Sequence, residues 1–237
     1  MKNYAVLDIE TADAPETAVQ DAIDAWKAPS NWKPETVERN REMAAERIRT
    51  KSALLDAAPI ICIALDQAGD KFLFHWMEID CKELQGWQVW KCSNEATMLE
   101  ALRTVAKDFM DEETVIVGAN HRNFDLPKLR ARYIHHSLML PKFLAWTLDR
   151  DERNRTADVQ AMVKAFSAEH ADDWRPRLDE VARVLGIPRP KQTITGADVP
   201  KLYAAGAYEA ILAYCAIDTI TTARAYELMT GIAADLA

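Results

Sequence analysis

The feature that most constrains the fold is the first apolar run, Tyr4-Ala5-Val6-Leu7, which leads directly into Asp8-Ile9-Glu10-Thr11. A short continuous apolar run of this kind is the pattern of a central strand covered on both faces. Side chains alternate along a strand, so Asp8 and Glu10 point to the same face. Two neighbouring carboxylates repel each other unless a cation lies between them, and hard divalent cations such as magnesium and manganese take oxygen ligands. The stretch therefore reads either as half of a metal site or as two solvated acids at a sheet edge. The rest of the chain decides between them by supplying further ligands or not.

Residues 12–51 are polar and predict helices. Ala18, Ile23 and Trp26 mark a short one, and Pro34 suits the first position of a second over 35–51. That second helix carries Arg39, Arg41, Arg47, Arg49 and Lys51 among Glu38, Glu42 and Glu46. The interleaving predicts a solvated face with i,i+4 pairs, or else a basic flap beside the acidic strand end. An apolar strand over 59–65, a Gln67-Ala68-Gly69-Asp70 turn and a second strand over 71–77 form a hairpin. Trp87 to Trp90 alternates as a short strand. Ser93 or Asn94 caps a helix to Phe109, with Met98, Leu99, Leu102 and Val105 on one face. A strand over 114–118, a helix from Asp125 or Leu126 to His136, and helices over 156–166, 178–185, 199–205 and 208–232 complete the pattern. This order predicts an α/β fold, one mixed β-sheet flanked by α-helices, in a single domain over 1–237 with 12–51 as a helical insertion after the first strand.

The 237 residues are 49% apolar, enough for one sizeable core. The formal net charge of -8 argues against nucleic-acid binding through charge alone, though not against local basic contacts. No run of 18 or more apolar residues occurs, so no membrane span is expected. Neither is a signal peptide, since the start is charged and strand-like. Cys62, Cys81, Cys92 and Cys215 form no C-x-x-C pair, which predicts reduced thiols and a cytoplasmic protein.

Two further stretches bear on the first. Gly118-Ala119-Asn120-His121-Arg122-Asn123-Phe124-Asp125 places an acid just beyond an apolar strand, where it also suits a helix N-terminus. In the last helix, Tyr214 and Asp218 lie four apart on one face. Asp158 precedes an apolar run and reads as a cap rather than a fifth ligand. His121, His135 and His136 match no zinc spacing. Trp87 and Trp90 read as packing residues, and Lys191 is a candidate phosphate contact.

Four acids and a tyrosine in this order resemble the DEDD superfamily of 3′→5′ exonucleases, tyrosine subgroup. The stand-alone relatives of the proofreading exonuclease domain of family B DNA polymerases are the most similar. The motifs are Asp8-Ile9-Glu10-Thr11, Asn120 through Phe124-Asp125-Leu126-Pro127, and Tyr214-x-x-x-Asp218, with additional similarity over 178–182 and 196–206. Ala119 stands where the family commonly has histidine. The histidine subgroup places that residue five positions before the last acid, where this chain has Ala213.

The resemblance implies an RNase H-like fold. It implies a two-metal site for Mg2+ or Mn2+ built from Asp8, Glu10, Asp125 and Asp218, with Tyr214 orienting the attacking water. Thr11, Asn120 and Phe124 match positions against the terminal nucleotide, Phe124 also reading as a core residue. The expected partner is single-stranded DNA or a DNA 3′ end, cut to nucleoside 5′-monophosphates in a repair setting. The same motifs serve an exoribonuclease equally, and a catalytically silent nucleic-acid-binding module is the alternative outside catalysis.

Overall fold

A computed structural model describes residues 3–67, 69–84, 86–111, 113–146, 155–166, 174–188 and 194–231. Seven strands form one mixed sheet: β1 (Tyr4–Thr11), β2 (Ile60–Gln67), β3 (Asp70–His75), β4 (Glu83–Leu84), β5 (Trp87–Lys91), β6 (Val115–Gly118) and β7 (Thr156–Asp158), in the order β4-β5-β3-β2-β1-β6-β7. β1 is antiparallel to β2 and parallel to β6. It is the hinge between an antiparallel meander and a parallel edge, and it is buried along almost its whole length.

Alternation along β1 sorts its residues between two layers. Ala5, Leu7 and Ile9 pack with α3 (Glu95–Phe109) and α4 (Asp125–His135), against Met98, Leu99, Leu102, Leu126, Leu129 and Tyr133. The opposite face, which carries Val6, Asp8 and Glu10, lies under the last helix, α9 (Tyr208–Thr230). There Ile211, Leu212, Cys215 and Ala216 meet Ala64, Leu73 and Trp87. Gly231, with φ of +77°, ends α9 in the left-handed conformation that glycine adopts without a steric cost. The architecture is the expected RNase H-like α/β fold, a mixed sheet between helical layers.

The segment after β1 holds α1 (Glu16–Asp24) and α2 (Pro34–Thr50), with Pro34 at the helix start. The two helices meet in a small apolar cluster, where Ala45 and Ile48 of α2 pack against Val19 and Ile23 of α1 together with Ala14 and Ala58. The cations of α2 are exposed, and among the described residues no ion pair forms along it, so the expected i,i+4 pairs are absent. Asn94, rather than Ser93, caps α3, in a reciprocal pair with Thr97.

The stretch 156–166 departs from expectation. It opens as strand β7, which pairs in parallel with β6, and only then turns into the short α6 (Val159–Met162) and a 3-10 turn. A three-residue Thr-Ala-Asp edge strand is too short to show a period of two, so tertiary pairing sets its conformation. Two short helices, α7 (Leu178–Val184) and α8 (Val199–Ala204), precede α9; a further one, α5 (Lys142–Trp146), follows α4. Among the described residues no helix is long and apolar enough to cross a membrane. Lys191 and Ile232 lie outside the described residues.

Candidate active site

A cleft of about 370 Å³ opens where the C-terminal half of β1, the start of α4 and the middle of α9 meet. Asp8, Glu10, Asp125, Tyr214 and Asp218 all line it, as do Asn120 and Phe124. Each arrives by a different local rule. Asp8 and Glu10 follow from strand alternation on β1. Asp125 is the first residue of α4, where the helix dipole favours an acid. Tyr214 and Asp218 are one helical turn apart on α9.

The acids are desolvated and crowded. Burial, then the charges of Asp125 and Asp218, push the Asp8 carboxyl well above its ordinary range. Burial, then Asp8 and Asp218, do the same to Glu10. Burial raises Asp125 to about 7, against hydrogen bonds from its own N–H and from the Ile9 N–H that pull it down. Burial, followed by the charges of Asp218, Glu10 and Asp8, raises the Tyr214 phenol far above its usual value. Tyr214 is thus a neutral hydrogen-bonding group at any working pH.

The residues fit a site for hard divalent cations. Asp8 Oδ2 is buried with no hydrogen-bond partner. Glu10 is 7% exposed, and its side chain makes no hydrogen bond or ion pair with any described residue. Carboxylates left in this state are stabilised by a bound cation, and an all-oxygen set suits magnesium or manganese.

A family model described as a predicted 3'-5' exonuclease related to the exonuclease domain of PolB matches residues 72–236, well over half of the chain. The chain belongs to this exonuclease family. No curated protein matches it. The match takes in Asp125, Tyr214 and Asp218 and begins after the start of β3, so Asp8 and Glu10 lie outside it and are brought to the same cleft by geometry.

The expected substrate contacts divide. Asn120 and Phe124 flank the acids. Asn120 has φ of +61°, a conformation asparagine tolerates, and its N–H donates to Asp158 Oδ1 over 3.2 Å. Phe124 is half-buried against the α3–α4 core, with Lys128 Nζ 5.9 Å from its ring centre. Thr11 does not line the cleft: it is 6% exposed, and its hydroxyl donates to Ala53 O in the helical segment. Asp158 caps α6 through the Gln160 and Ala161 N–H groups. Burial lowers His121 to about 4, so it sits neutral in the core beside Asp158. His136 is bonded to Glu95, His135 is exposed, and Trp87 is buried in the core.

Several cleft residues carry no signal of their own in the sequence. Arg177 is the cation among the described residues that line the cleft, beside Leu178 and Asp179. Gly196 forms part of another wall, and a Cβ there would lie 3.8 Å from the Tyr214 hydroxyl. The family similarity over 178–182 and 196–206 is the trace these walls leave in the chain. Cys215 places its sulfur beside the acid pair, a neighbour the motif pattern did not single out.

Behind the site, α4 is anchored by charge. Arg132 donates to both oxygens of Glu95, at 2.9 and 2.6 Å, and Ile60 N–H donates to Glu95 Oε1 at 2.7 Å. Lys128 donates to the carbonyls of Leu55 and Ala58, and Arg132 to that of Ala57. The helix that presents Asp125 is thereby tied to the segment entering β2.

Proposed function

We propose that this chain is a metal-dependent 3′→5′ exonuclease of the tyrosine subgroup, acting on single-stranded DNA or DNA 3′ ends and releasing nucleoside 5′-monophosphates. What supports this reading is one observation: four carboxylates and a neutral tyrosine, drawn from β1, α4 and α9, converge on one cleft. Bound divalent cations supply an activated water and charge stabilisation at the scissile phosphate.

The chain's own residues do the rest. Asp8, Glu10, Asp125 and Asp218 hold the cations. Tyr214 orients the attacking water by a hydrogen bond and keeps its own proton. Asn120 and Phe124 meet the terminal nucleotide, and Arg177 meets the backbone of the strand. The floor of the site is rigid because Asp8 and Glu10 sit on the central strand.

The test is a 5′-labelled single strand incubated with the full chain and Mg2+ or Mn2+, on matched DNA and RNA, with an EDTA control. The expected result is a one-nucleotide ladder on DNA that EDTA and Asp8→Asn abolish. A ladder that survives Asp8→Asn overturns the assignment. A ladder on RNA alone moves the substrate to RNA, and no ladder leaves only a binding module.

A further inference from the structure

The exonuclease reading uses the acids of the cleft and leaves one of its neighbours without a role. Cys215 is on α9, one residue after Tyr214, fully buried. Its sulfur lies 3.9 Å from the backbone carbonyl of Asp8. One oxygen of Asp8, one of Glu10 and the Cys215 sulfur all lie within 4.8 Å of one another. This is a three-donor set of the size one cation spans after small side-chain rotations. Asp8 Oδ2 is buried and unpartnered, and the side chain of Glu10, a residue more than nine-tenths buried, makes no hydrogen bond or ion pair with a described residue. The Cys215 thiol is a hydrogen-bond neighbour of the Asp8 carboxyl, so sulfur and carboxylate already face each other.

A purely carboxylate set favours hard cations, whereas a sulfur donor shifts preference toward zinc and softer ions, which bind mixed sulfur and oxygen ligands tightly. We propose that Asp8, Glu10 and Cys215 form a mixed carboxylate–thiol pocket that takes a thiophilic divalent cation of the zinc or cadmium class, in competition with the hard cation of the acidic site. Binding breaks the Cys215 S–H bond and forms a sulfur–metal bond. The proton goes to solvent, and no electron is transferred. A cation held there occupies Asp8 and Glu10 without the oxygen-only geometry that the hydrolysis needs. That inhibitory consequence rests on the exonuclease reading; the binding itself does not.

The experiment uses the full chain with Cys81→Ser and Cys92→Ser, which leaves Cys62 and Cys215, and Cd2+ as the probe. The thiolate-to-metal absorption in the ultraviolet is expected to saturate at one equivalent. Cys215→Ala, checked for folding by circular dichroism, is expected to abolish it and to weaken Cd2+ binding more than about tenfold, since even partners outside a ligand set are worth 10–100-fold. Absorption that survives Cys215→Ala, or that disappears only with Cys62→Ala, overturns the assignment.

A second measurement needs no variant at the site. Mn2+ bound to the chain is expected to be released by Cd2+, read from the paramagnetic resonance signal of the free ion. Bound Mn2+ that Cd2+ neither displaces nor accompanies with sulfur absorption overturns this inference and leaves the exonuclease reading intact. Sulfur absorption dependent on Cys215 in a chain that binds no Mn2+ upholds the pocket and removes the exonuclease reading.

Discussion

The backbone N–H of Ile9 donates to Asp125 Oδ1 over 3.2 Å. Ile9 stands between the two acids of β1, so this bond fixes the acid of α4 to the strand that carries its partners. One oxygen of Asp125 is thereby engaged in holding the site together. Asp125→Asn keeps an acceptor for the Ile9 N–H, whereas Asp125→Ala leaves that buried donor alone, at a cost of about 1–3 kcal/mol. Both are expected to lose roughly 100-fold or more in exonuclease rate, beyond what partners outside a ligand set are worth. Thermal unfolding separates them: equal melting temperatures for the two variants would show that the bond carries no structural load.

Without metal, the acids make stability pH-dependent with a defined sign. Asp125 is raised from an ordinary value near 4 to about 7, so the folded state binds the extra proton between those values. The contribution of Asp125 to stability is full below pH ~4 and is lost as pH rises toward about 7, by on the order of a few kcal/mol. Asp8 and Glu10 act in the same direction. Urea unfolding in EDTA across this range is expected to show the decline, and saturating Mn2+ to remove it. A flat profile in EDTA would contradict the crowding of the four carboxylates.

Glu95 behaves oppositely. Burial pushes its carboxyl up, but hydrogen bonds from Arg132, His136 and the Ile60 N–H outweigh that and hold it below its usual value. Its contribution is present above the unfolded carboxylate range and is lost as pH falls through the lowered value. Glu95→Ala strands Arg132 as a buried charge and is expected to cost about 3–5 kcal/mol. Glu95→Met with Arg132→Met is expected to recover much of it, measured by denaturant unfolding of the single and double variants. A double variant as unstable as Glu95→Ala would place the cost elsewhere.

Tyr214→Phe removes the hydroxyl while leaving the ring in the wall of the cleft. The turnover number is expected to fall up to about 100-fold with little change in KM, as for a positioning contact. Because the phenol is held far above its usual value, the pH–rate profile of the unmodified chain carries no limb from its ionisation. A basic limb that vanishes with Tyr214→Phe would make the tyrosine a proton acceptor instead.

Gly118 ends β6 immediately before the loop that bears Asn120 and Phe124. A Cβ at this position would come within 2.5 Å of His121 Cβ. Gly118→Ala must therefore displace the buried His121 and the loop with it. Loss of melting temperature together with weaker Mn2+ binding is the expected outcome in calorimetry. Unchanged Mn2+ affinity would separate the loop from the Asp125 end of α4.

The parts of the fold readable from sequence are those with a strong local signal. β1 and β2 are continuous apolar runs, α3 has a clear stripe and cap, and the acids of β1 follow from alternation alone. Strand β7 was hidden because three residues show no period, and its identity comes from pairing with β6. Thr11 matched a motif position yet spends its hydroxyl on Ala53, a long-range bond that no local pattern encodes. Arg177 likewise reaches the cleft, and the Cys215 sulfur the acid pair behind it, only through packing between stretches far apart in the chain.

Asp8 and Asp218 meet although 210 residues separate them, because α9 closes over the strand laid down first. Two of the four acids come from β1, one from the start of α4 and the last from α9. The acid set is complete only where α9 docks on β1, so a cation held in the cleft ties the first strand to the last helix.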